Sequence, residues 1–133
     1  MQKLVDDLKA LDELLVIKRE VDPCHELAAV TKAVQQSSNK TVLFENVRGS
    51  KMPVVSNIYN SRQRLCHFIG SEPDGFCARW NNIHDRTKSQ AGQETTIIER
   101  PGDLVDCHIS DLPLITYHGK DAAPYFTSAI FLA

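Results

Sequence analysis

The chain has 133 residues, of which 42% are hydrophobic and 24% charged, and its net charge is −2. That is the size of one domain with enough apolar content to bury a core, and the near-neutral balance gives no electrostatic reason to expect nucleic acid or an anionic membrane as a partner. No apolar run approaches the roughly 20 residues of a transmembrane helix, and Asp6 and Asp7 stand where a signal peptide would be apolar, so a cytoplasmic protein is expected.

Taken in order, Leu4, Val5, Leu8 and Leu11 recur at helical spacing and predict an amphipathic helix over 2–12. Leu-Leu-Val-Ile-Lys-Arg at 14–19 reads as a strand. Asp22-Pro23 has the chemistry of a helix start, a capping carboxylate followed by a residue that tolerates the first turn. Leu27, Val30, Thr31 and Val34 give that helix one buried face, and Ser37-Ser38-Asn39-Lys40 ends it. A second strand is expected over 41–45, beginning Thr41-Val42-Leu43-Phe44. Strand, helix, strand in this rhythm predicts a βαβ unit. Arg48-Gly49-Ser50-Lys51 is turn chemistry before a short strand at 53–55. Helices are expected near 61–69 and 75–85, and Glu-Thr-Thr-Ile-Ile-Glu at 94–99 has strand propensity. The predicted class is α/β, a small mixed sheet with flanking helices. Asp111-Leu112-Pro113-Leu114 reads as an extended connector, 118–124 as a loop, and 125–133 as an apolar strand. Such a strand needs a sheet. Either it pairs back into the first sheet, or it opens a second domain, which divides the chain into an α/β domain at 1–115 and a connector with a first strand at 116–133.

Few of the chemically suggestive residues form a pattern. The four cysteines, Cys24, Cys66, Cys77 and Cys107, are widely spaced and read as free thiols. Three of them precede a histidine, at Cys24-His25, Cys66-His67 and Cys107-His108, which invites a zinc reading. Adjacent side chains diverge on a strand and on a helix alike, so no metal site is expected from them. A cysteine nucleophile paired with His67, His84 or His108 has no local support. The glycines of Gly70-Ser71-Glu72-Pro73-Asp74-Gly75 lack a phosphate-loop pattern. Arg62, Arg64, Arg79 and Arg86 are expected on solvated helix faces. Trp80, beside Phe76 and Ile83 at helical spacing, is expected in core or interface packing. No catalytic residue emerges from spacing alone.

Three stretches carry a resemblance. They are Glu20-Val21-Asp22-Pro23-Cys24-His25-Glu26-Leu27-Ala28-Ala29-Val30, the run from Val42-Leu43-Phe44-Glu45-Asn46-Val47-Arg48-Gly49-Ser50 to Asn57, and Asp111-Leu112-Pro113-Leu114-Ile115-Thr116 followed by Tyr125-Phe126-Thr127-Ser128. In this order and spacing the chain resembles the amino-terminal region of UbiD-type aromatic-acid carboxy-lyases, with 70–95 matching least. The resemblance implies an α/β domain leading into a split β-barrel, of which 125–133 would be the first strand. It implies a parent enzyme that decarboxylates aromatic (hydroxybenzoate or phenolic) or α,β-unsaturated acids without oxidation. The parent would use prenylated FMN with a divalent metal and a monovalent cation, the cofactor acting as electron sink. A UbiX-type flavin prenyltransferase would supply that cofactor. The family's catalytic residues and metal ligands fall in segments beyond this chain. Only Thr127 has a cofactor-contacting counterpart, and a plain edge-strand threonine is the alternative. The expectation is a chain inactive alone, holding no cofactor, missing the barrel and carboxy-terminal domains, and forming a homo-oligomer. A stand-alone accessory or interaction domain of the same descent is the alternative.

Overall fold

The computed structural model describes residues 2–89, 108 and 111–125. The expected strand at 94–99, all of the expected strand at 125–133 but Tyr125, and Cys107 lie outside the described residues, and so does Thr127. The chain divides into two compact units, one of Met1–Asn60 with Cys107–Ala133 and one of Ser61–Asp106.

In the first unit, helix α1 runs Gln2–Ala10 and buries Val5 and Leu8. It stops before Leu11, which is exposed, because Asp12 turns left-handed at φ 55°. The Asp12 and Glu13 amides then donate to the carbonyls of Lys9 and Leu8. That pair of bonds satisfies the last carbonyls of the helix and usually calls for glycine, for which aspartate is a tolerated substitute. Strand β1 (Leu14–Val21) pairs in parallel with β2 (Thr41–Val47), and β2 pairs antiparallel with β3 (Val54–Ser56). The sheet is therefore mixed, in the order β1-β2-β3. Parallel neighbours need a crossover, and helix α2 (Glu26–Gln36) provides it.

Thr41, Val42, Leu43 and Phe44 are all buried, as befits a central strand covered on both faces. The core gathers Val21, Leu27, Val34, Val42, Phe44, Val47, Val54 and Ile115, with Ile17, Val30 and Tyr117 packed against it. Helical periodicity brings Leu27 and Val34 onto one stripe of α2, and sheet pleating brings Val42 and Phe44 onto one face of β2. A large apolar side chain buried in this way contributes on the order of 2 kcal/mol. Between Ile17 and Glu20 the β1–β2 register shifts. The Asn46 side-chain amide donates to the Lys18 carbonyl there, which satisfies an acceptor that the interrupted ladder leaves over.

In the second unit, helix α3 (Arg62–Ile69) is bounded at both ends by its own residues. The Ser61 hydroxyl accepts from the Arg64 amide at 3.3 Å, and Gly70 sits at φ 65°. There the amides of Gly70 and Ser71 donate to the carbonyls of His67 and Cys66. A 3-10 turn at Pro73–Gly75 leads into α4 (Phe76–Ser89). The Arg79 guanidinium donates to the Ile69 carbonyl at 2.9 Å, and that of Arg62 lies 4.7 Å from the centre of the Phe76 ring.

Two sequence expectations need correction. Arg64 is only 2% exposed, whereas charge pattern placed it on a solvated face. Trp80 stacks on Phe76 with ring centres 6.2 Å apart and is 55% exposed, which corrects the core half of the expectation of core or interface packing.

Candidate functional site

The three stretches singled out in the sequence meet at the carboxyl end of the parallel pair β1–β2. Asp22 is the centre of the junction. One carboxylate oxygen accepts from the Cys24 amide at 2.7 Å, and the other accepts from the Arg48 guanidinium at 2.7 Å. Arg48 also pairs with Glu20 at 3.1 Å. The Asp22 amide donates to one oxygen of Glu26 at 2.8 Å, while Arg19 pairs with the other at 2.6 Å. The Asp22 amide and the Arg19 guanidinium hold the Glu26 carboxyl below its ordinary value of 4.5. Pairing with Glu20 and Asp22 raises the value of Arg48 further.

The bracket Pro23–His25 receives the third stretch. The Thr116 amide donates to the Pro23 carbonyl at 3.1 Å, and the His25 amide donates to the Thr116 carbonyl at 2.9 Å. Thr116 thus stands beside Cys24 as a one-residue parallel bridge. The Ser50 hydroxyl donates to the Asp111 carbonyl at 3.2 Å. Ile115, which is buried, pairs with Tyr125 on its other side. The loop between is closed by the Asp121 carboxylate, which accepts from the amides of Tyr117 and His118 at 2.9 and 2.8 Å.

This pairing also moves the start of α2. The Asp22-Pro23 signal predicted a helix from that point, but the helix begins at Glu26, with His25 at φ 68° just before it. Residues 23–25 cannot enter a helix while their main chain is committed to Thr116.

Beside the junction, between α2 and β3, lies a groove of about 620 Å³. Its lining includes Thr31, Gln35, Val55, Asn57, Leu112 and Tyr117, and carries no charged side chain. The polar groups on its α2 wall bond to one another. The Thr31 and Ser56 hydroxyls are 2.8 Å apart, and the Gln35 amide donates to Asn57 at 3.0 Å. Asn57, at φ 62°, donates in turn to the Lys40 carbonyl at 2.8 Å.

Catalytic constellations are not assembled among the described residues. His25, His67, His84, His108 and His118 are all exposed. Cys24 and Cys77 are exposed and Cys66 is buried, all three as free thiols. Among the described residues no group of three His, Cys, Asp or Glu side chains could hold a metal ion. The sequence marks Asp22 as a helix cap and Arg48 as a turn residue, and nothing in their spacing joins the two. The signal available was an Asp-Pro step after one strand and an Arg-Gly-Ser turn after its parallel neighbour.

A family model described as the 3-octaprenyl-4-hydroxybenzoate carboxy-lyase N-terminal domain matches residues 5–83. The chain belongs to the UbiD family. Among relatives of this UbiD chain, a protein of Methanosarcina mazei described as anhydromevalonate phosphate decarboxylase is 28% identical over 126 residues, 95% of this chain and 28% of the relative. An uncharacterized Rhodospirillum rubrum protein encoded in the cooM 5′ region is 29% identical over 137 residues, 98% of this chain and 29% of the relative. The fold matches vanillic acid decarboxylase of Sedimentibacter hydroxybenzoicus in closed form with a TM-score of 0.70 at 20% identity, over 92% of this chain and 28% of that one. It matches an evolved dimeric form of the UbiD-class enzyme HmfF from Pelotomaculum thermopropionicum, in complex with prFMN, with a TM-score of 0.67 at 22% identity, over 92% of this chain and 29% of that one. The chain therefore spans less than a third of the length of these relatives.

Neither the groove nor the junction fits prenylated FMN. A flavin phosphate calls for cationic or main-chain donors, and its divalent metal calls for a set of oxygen ligands. The groove is uncharged, and the carboxylates of the junction are already paired with arginines and amides. Thr127, the one position assigned to the cofactor from sequence, lies outside the described residues.

Proposed function

We propose that this chain is the amino-terminal part of a prenylated-FMN-dependent, non-oxidative decarboxylase of aromatic acids, hydroxybenzoates or related phenolic acids, and that it turns over nothing by itself. The observation that carries the reading is the UbiD amino-terminal match over residues 5–83, in a chain spanning 28% of a relative described as a decarboxylase. The junction of Glu20, Asp22 and Arg48 suits a structural role in that enzyme, since each of these groups already has a charged partner. A carboxyl held low, as Glu26 is, stays ionised at neutral pH and cannot donate a proton.

On this reading residues 1–115 form the α/β domain, and 116–133 lead through Thr127 into a flavin-binding split barrel. That barrel and the carboxy-terminal domains hold the cofactor with its divalent metal and monovalent cation. A UbiX-type flavin prenyltransferase supplies the modified flavin, and the enzyme is a cytoplasmic homo-oligomer. Among the described residues no helix is long and apolar enough to cross a membrane. The relatives' names cite different acids, vanillic acid and anhydromevalonate phosphate, so the reaction class is better supported than the acid.

Two measurements test the reading together. The purified chain is incubated with prenylated FMN, 4-hydroxybenzoate and vanillate, and carbon dioxide release is followed. The expected result is none, and turnover by the chain alone would overturn its assignment as an inactive part. Residues 1–125 are then exchanged for the matching region of the Sedimentibacter enzyme. A soluble, active chimera is expected. A soluble chimera that binds prenylated FMN but releases no carbon dioxide from vanillate would favour the accessory-domain alternative.

A further inference from the structure

We infer that Asp22 is a positioning residue, the centre of a latch that holds residues 115–117 against the carboxyl end of the β1–β2 pair. Its carboxylate is divided between two tasks. The oxygen that accepts from the Cys24 amide, at 2.7 Å, closes a side-chain turn around Pro23. The oxygen that accepts from Arg48, also at 2.7 Å, ties this turn to the end of β2. Proline fixes its own φ, so with both oxygens engaged the backbone of 22–25 has little freedom left. Its Pro23 carbonyl and His25 amide are thereby aimed in one direction, at the two main-chain groups of Thr116.

The latch reaches further than one bridge. Ile115 enters the core and accepts from the Tyr125 amide at 2.9 Å. The rings of Tyr117 and Tyr125 lie 5.2 Å apart. Residues 115–117 are thus held between the Asp22 turn on one side and Tyr125 on the other. Arg48 supports the same turn through Asp22 and the end of β1 through Glu20. The left-handed His25, at φ 68°, belongs to the device. An unusual φ is tolerated where surrounding bonds over-determine the backbone, and here the His25 amide is held by Thr116.

Amide hydrogen exchange on the full chain separates a positioning role from general stability. Asp22→Ala removes both bonds. It is expected to speed exchange of the Thr116 and His25 amides by about tenfold or more, while Leu43 and Phe44 on β2 change by less than about twofold. Asp22→Asn keeps an oxygen for the Cys24 amide and loses the charge. It is expected to recover most of the protection and to lose its dependence on salt. Equal acceleration at Thr116 and at Phe44 in Asp22→Ala would make Asp22 merely a stabilising residue and overturn the inference. So would unchanged exchange at Thr116. Should Asp22→Ala fail to fold, Arg48→Ala decides. Faster exchange at Thr116 with Phe44 unmoved supports the latch, and no difference between the two sites sinks it.

Discussion

At the scale of single residues, burial and pairing separate what holds the molecule together from what shapes it. Phe44 is fully buried at the centre of the core. Phe44→Ala leaves a cavity between α2 and the sheet and is expected to destabilise the chain by about 3–5 kcal/mol, read from urea unfolding midpoints. Glu26 behaves differently, because its stabilisation is electrostatic and open to solvent. Its folded-state pKa lies below the ordinary 4.5, so its contribution is complete above that value and fades as pH falls through the depressed one. The stability gap between the wild-type chain and Glu26→Gln is therefore expected to be flat at neutral pH and to close on acidification below 4.5. Added salt should narrow the gap as well. A gap that widens towards acid would contradict the pairing with Arg19.

Helix α3 shows how an element is bounded by its own sequence. Ser61 caps its start and Gly70 ends it in the left-handed region. Ser61→Ala is expected to cost about 1 kcal/mol, and Gly70→Ala about 1 kcal/mol because alanine resists that φ. Thermal or denaturant melts of the two variants would measure both. Such local devices explain why α3, β1 and β2 were legible in the sequence. Each is announced by residues within it or at its ends. The start of α2 was misread for the opposite reason. Asp22 and Pro23 satisfy the local rules for a helix start, but Thr116, far along the chain, claims the main chain of 23–25. The register shift in β1 and the burial of Arg64 were equally invisible, since both depend on partners that spacing does not name. The junction was half legible. Its residues lay in the stretches that carry the family resemblance, while the geometry joining Asp22 to Arg48 is a tertiary fact.

For the molecule as a whole, the family match over residues 5–83 and the α/β fold agree. The Cys-His steps illustrate how composition can mislead at this scale. Cys66 is buried while His67 beside it is exposed, as divergence of adjacent helical side chains requires. The purified chain is expected to carry no stoichiometric zinc by elemental analysis. One equivalent of zinc lost on replacing Cys24 or Cys66 would refute this. The pairing of Pro23 and His25 with Thr116 also has a consequence during synthesis. The β1-α2-β2-β3 segment, which ends at Ser56, leaves the ribosome well before its partner, since the following roughly 60 residues at about 5–20 per second take roughly 3–12 s. Through that interval the slot for Ile115, walled by apolar core residues such as Val21 and Val54, stays open to solvent. A nascent chain at that stage is a natural client for a chaperone that shields apolar surface, and translation that pauses between Asn60 and Ile115 would prolong its exposure.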